Sequence, residues 1–149
     1  MNVDGLTLRP LADGRLSDIG IHNSGFEEPI TVVQSGFGWQ ITPSVANVTM
    51  SVDTNEHQSG SRSLRIDFRG NSSPTSPLLT QLVLVKPQTH YRLSFAAQSK
   101  AFVSAAAPLI TLTDASDPKD AVLSQTPPLR SGRYRTASGS DRPLVSRRS

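Results

Sequence analysis

The stretch Asn23-Ser-Gly-Phe-Glu-Glu28 brings together residue types that could do chemistry. Gly25 permits a tight turn. Phe26 can plug a core, and Glu27 can accept from backbone donors or hold a cation. Asp53 follows, and then the run His57-Gln-Ser-Gly-Ser-Arg-Ser-Leu-Arg65, in which Ser59–Ser61 reads as a turn entering a strand. Glu27, Asp53 and that turn offer the oxygen ligands that calcium takes, without a compact EF-hand loop. Solvated loop acids are the alternative. Trp39 is the sole tryptophan; it is either a core anchor or a platform on which a sugar ring stacks. A third group is polar: Arg65, Asp67 and Arg69, then Gln81, then Arg92, Ser94 and Gln98. On neighbouring strands these would form one face whose arginines and glutamine donate to sugar hydroxyls, with Arg able to grip carboxylates bidentately. The alternative is a solvated face of cross-strand charge pairs.

The residue patterns argue against catalysis. His22, His57 and His90 lie far apart with no zinc-ligand spacing. No nucleophile elbow and no phosphate-cradling glycine loop occurs. Glu27, Glu28, Asp53 and Asp67 could be paired on paper, as in any soluble domain. The chain is therefore not expected to be an enzyme. There is no cysteine, which excludes disulfides and thiolate metal sites.

These groups need elements to position them. Hydrophobic residues make up 36% and charged residues 18%, both low for a globular chain, while glycine and proline are plentiful. Such a composition favours short strands and turns over helices. Period-two alternation of apolar and polar residues predicts strands over Ala46–Val52, Ser63–Arg69, Tyr91–Ala97 and Pro108–Asp114. Gln81–Val85 is apolar on both faces and reads as a central strand. Turn clusters at Gln58–Gly60, Gly70–Pro74, Lys86–Gln88 and Asp114–Lys119 separate them. The expected fold is an all-β, antiparallel two-sheet β-sandwich. Residues 1–18, with Gly5, Pro10 and Gly14, read as a linker or lead-in. Residues 19–129 form the domain, and 130–149 a basic disordered tail.

The net charge of +3 is unevenly placed. Residues 130–149 hold six arginines against Asp141, whereas residues 1–129 hold nine Lys/Arg against eleven Asp/Glu. The basicity belongs to the tail, so no specific nucleic-acid partner is expected. No apolar run is long enough for a transmembrane segment. Met1–Arg15 carries Asp4 and Asp13 and no apolar core, so no signal peptide is expected. The abrupt change past Leu129 is what truncation or a frame shift would produce.

Taken in order, Asn23-x-Gly-Phe-Glu-Glu, Gly38-Trp39, Asp53, Ser59-Gly-Ser-Arg-Ser-Leu64, Gln81-x-Val, Pro87 and Tyr91-x-Leu-x-Phe95 resemble the galactose-binding-like jelly roll of the family 4/9 carbohydrate-binding modules. The chain is especially similar to the divergent version at the C-terminal end of bacterial tetratricopeptide-repeat proteins. The resemblance covers about Leu16 to Asp117. It implies a non-catalytic polysaccharide-binding module within a larger envelope-associated, periplasmic, cell-surface or extracellular protein whose other domains are its partners, and the arginines on the proposed face extend the expected ligands to acidic polysaccharides. It places Arg65, Asp67, Gln81 and Arg92 at the glycan cleft, with Trp39 the one tryptophan available for stacking. It places Glu27 at a structural calcium, with Asp53 and the Ser59–Ser61 turn beside it. The family closes with an aromatic-containing strand and a final strand ending in acids. Here the arginine tail stands instead, which implies an open sandwich and a calcium site short of one ligand.

Overall fold

The structure is a computed structural model that describes residues 1–11, 20–30, 37–43, 45–70, 77–86, 89–100, 108–117, 119, 122–126, 132–138 and 143–144. Among these residues there is no helix. The chain is all-β, and every pairing is antiparallel. Among the described residues ten strands occur in the order β1 Asn2–Pro10, β2 Gln40–Ile41, β3 Val48–Asp53, β4 Ser63–Phe68, β5 Leu79–Thr80, β6 Thr89–Ser99, β7 Thr111–Thr113, β8 Val122–Gln125, β9 Gly132–Ser138 and β10 Pro143–Leu144. The main sheet runs β10-β6-β1-β4-β3, with β9 also on β6; β2–β5 and β7–β8 are separate pairs.

Alternation explains β3, β4, β6 and β7. In β4, Leu64 and Ile66 are buried while Arg65 is exposed. In β6, Tyr91, Leu93 and Phe95 are buried while His90 and Arg92 are exposed. These apolar sets join Val3, Leu6, Leu8, Phe26 and Trp39 in one core. The opposite face of the sheet is polar.

Three expectations are corrected. Of the expected lead-in at 1–18, residues 12–18 lie outside the described residues, and residues 2–10 are instead a strand: β1 lies between β6 and β4 and contributes three core side chains. Its alternation is masked because the register with β6 shifts between Asp4 and Thr7. Gly5 adopts φ +60° at that irregularity, a conformation glycine takes at little cost. Gln81–Val85 is not a central strand. The pairing with β2 ends at Thr80, and Leu82, Leu84 and Val85 are exposed. At Gln81 the side chain bonds the His22 backbone instead. Finally, the expected disordered tail contains β9 and β10, which pair with β6 through the backbone. Such pairing does not require an alternating sequence. The expected turn at 71–74, the Pro87 position and the charged ends of the tail lie outside the described residues. No described helix is long and apolar enough to cross a membrane.

Candidate functional site

The stretch 22–28 folds back on itself through Asn23. Asn23 takes φ +49°, its Nδ2 donates to Glu28 O at 2.8 Å, and its Oδ1 accepts from Glu28 N at 3.0 Å. This clamp drives Phe26 into the core, where it is fully buried. Phe26 pays for that position with φ +58°, an unfavourable value for a residue with a side chain. Its ring stacks on Trp39, with centroids 5.5 Å apart and planes at 26°. Trp39 Nε1 donates to Asn23 O at 3.1 Å. Trp39 is 8% exposed, so the sugar-platform expectation is corrected: this ring anchors the core.

Glu27 points the other way, onto the turn at 58–62. Its Oε1 accepts from Ser61 N at 2.8 Å and Arg62 N at 3.1 Å, and its Oε2 accepts from Ser61 Oγ at 2.7 Å. Arg62 Nη1 returns a bond to Glu27 O at 2.9 Å. The Ser61 hydroxyl, then the Ser61 amide, hold the Glu27 carboxyl below the usual glutamate range. Asp4 grips the same turn from its buried side. Asp4 Oδ2 accepts from Gln58 N at 2.9 Å, Ser59 N at 2.7 Å and Ser59 Oγ at 3.2 Å. Its Oδ1 is buried and has no hydrogen-bond partner. A Cβ built on Gly25 would lie 3.6 Å from Asp4 Oδ1 and 3.9 Å from Glu27 Oε1, so both carboxylates border Gly25.

Asp53 belongs to a different cluster. It accepts from Asn55 N at 2.9 Å, Glu56 N at 3.3 Å and Asn2 Nδ2 at 3.1 Å. The Asn55 bond, first among these, keeps its carboxyl below the usual aspartate range. Asp53 thus shares none of these hydrogen-bond partners with Glu27, and the carboxylate that holds the same turn as Glu27 is Asp4. Among the described residues no three His, Asp or Glu side chains converge as a metal cluster.

The polar sheet face holds Arg65, Asp67 and Arg92 as expected, but not as one cleft. Arg65 Nε forks onto both Asp67 oxygens at 3.0 Å, and its Nη1 lies 3.8 Å from Asp53 Oδ2. Asp67, then Asp53, raise the arginine's affinity for its proton. Across the sheet Arg65 pairs with Asn2, and Asn2 with Gln98. Arg92 is six residues from Gln98 along β6, roughly 20 Å at the usual rise of a strand. Arg92 instead faces Arg9. Gln81 stands apart, its Oε1 accepting from His22 N and its Nε2 donating to His22 O, both at 2.9 Å. Sequence reasoning missed Asp4 and Arg9 because the slip at Gly5 hides β1.

Neither family models, nor curated proteins, nor solved structures yield a match to this chain.

Proposed function

We propose that the chain is a non-catalytic carbohydrate-binding-like module: a galactose-binding-like β-sandwich of the jelly-roll kind, from a larger bacterial envelope-associated protein, taking polysaccharide on its polar sheet face. The observation that carries this reading is the interlock of the stretches behind the resemblance. Within His22–Glu28, Phe26 stacks on Trp39, the His22 backbone receives the Gln81 amide, and Glu27 holds the Ser59–Ser61 turn. Sequence segments far apart in the chain thus meet in one knot beneath the sheet that presents Arg65, Asp67 and Arg92.

Calcium is part of the same proposal, with Asp4 and Glu27 as its carboxylates. Its support is Asp4 Oδ1, a buried charged-group oxygen without a partner, which a hard cation would satisfy. The ion would neutralise two acids that close on one turn.

A second reading, a structural or protein-interaction domain without sugar binding, is favoured by two observations. The ring of Trp39 is buried, and the amide of Gln81 is occupied by His22. Thermal melting of the full chain with neutral and acidic polysaccharides separates the two readings. A ligand specific to the folded state raises the melting temperature by mass action. The module reading expects a glycan-dependent rise that is lost in Arg65→Ala or Arg92→Ala. A cooperative melt that no glycan shifts overturns it in favour of the interaction role.

A further inference from the structure

The register of the main sheet sets Arg9 of β1 directly opposite Arg92 of β6. Both are exposed. Directly opposed residues of an antiparallel pair have Cβ atoms about 4.5–5.5 Å apart, and like charges there are destabilising. The neighbouring row, Thr7 opposite Ser94, is uncharged. His90 follows two residues beyond Arg92, and the backbone of Leu11 bonds to it. Among the described residues neither Arg9 nor Arg92 has a carboxylate within ion-pair distance. Asp53 and Asp67 are with Arg65 at the far end, and Asp4 is spent on the 58–59 turn. The two arginines of β4 and β6 thus differ: Arg65 is neutralised within its own sheet, whereas Arg92 is doubled by a second cation.

We infer that Arg9 and Arg92 form a subsite for the carboxylate or sulfate group of an acidic polysaccharide, an inference that rests on the module reading above. A guanidinium presents paired N–H donors that fit such a group bidentately. Two of them on adjacent strands grip one anion from both sides, and the anion removes the repulsion between them. The exposure of both side chains admits a polymer. The Thr7 and Ser94 hydroxyls in the next row suit the hydroxyls of the same sugar residue.

The test is affinity electrophoresis of the full chain through gels holding polygalacturonate, dextran sulfate or neutral dextran, with inorganic phosphate and duplex DNA titrated separately. The variants are Arg9→Gln, Arg92→Gln and Lys119→Gln. Lys119 is an exposed residue ahead of β8, so its variant matches the charge change elsewhere on the surface. The expected result is retardation by an acidic polymer, about tenfold weaker in either arginine variant and retained in Lys119→Gln. Both arginine variants should melt at or above the temperature of the parent chain, because a like-charge contact is gone. An equal loss in Lys119→Gln overturns the subsite and leaves only diffuse charge. Retardation by neutral dextran, equal in all variants, overturns the subsite while the module reading stands. Arginine-dependent binding of phosphate or DNA without any glycan overturns the polysaccharide assignment and the module reading together. A lower melting temperature in the arginine variants shows a structural role and overturns the subsite.

Discussion

Glu27 occupies the space that a side chain at residue 60 would need. Gly60 sits at φ +61°, and a Cβ there would collide with Glu27 Oε1. The turn thus closes on the carboxylate only because residue 60 has no side chain. Gly60→Ala should destabilise the fold by about 1–3 kcal/mol from the backbone conformation alone, with the collision added. In a Glu27→Ala background the collision is absent, and the same change should cost less. Urea unfolding of the four chains of this cycle measures the coupling.

Acid should weaken the fold. Glu27 and Asp53 are both held below their ordinary values, chiefly by the Ser61 hydroxyl and the Asn55 amide. A carboxylate whose pKa is depressed on folding contributes stability that is complete above its unfolded value and lost as the pH falls through its folded one. The melting temperature should therefore hold steady from neutral pH to about 5 and drop below about 4. Asp53→Asn should flatten that drop in a pH series of thermal melts.

Calcium should stabilise the parent chain and not the Asp4→Asn variant. At a hundred times its dissociation constant a folded-state ligand contributes about 2.7 kcal/mol. Asn at position 4 keeps an acceptor for the Gln58 and Ser59 amides, so the variant tests the charge and not the turn. Melting in calcium against melting in chelator reads the difference. Equal shifts in both chains would remove Asp4 from the site.

The lone tryptophan reports on the Phe26 stack. Trp39 emission should be blue-shifted in the folded chain and should move to the red on unfolding. Phe26→Ala should cost about 3–5 kcal/mol and move the folded emission toward the red. Titration with glycan should leave the emission of the parent chain unchanged, because the ring faces Phe26. A glycan-induced change would mean that the ring meets ligand.

Legibility in the sequence followed the regularity of the backbone. β3, β4 and β6 alternate cleanly, so their inward and outward residues, Arg65, Asp67 and Arg92 among them, could be read directly. β1 alternates too, but Gly5 and Leu6 slip its phase, so Val3 and Leu8 share the core face at an odd spacing. That one irregularity hid Asp4 and Arg9. Gln81 failed for another reason: its apolar neighbours resemble a central strand, yet its amide bonds a backbone at the far end of a loop. Which of Asp4 and Asp53 stands beside Glu27 depends on how loops meet, and spacing alone carries no such information.

β1 pairs with β6 from Asn2↔Gln98 to Pro10↔Tyr91, so β1 waits for a partner nearly ninety residues downstream. At about 5–20 residues per second of synthesis, that wait lasts on the order of 4–18 s. Through it, Val3, Leu6 and Leu8 have no partner strand on one edge. The β3–β4 hairpin, by contrast, closes over a short loop as soon as it is made. The order of emergence therefore leaves β1 with one open edge until β6 is made, and makes it the natural client of any factor that shields apolar segments on a growing chain.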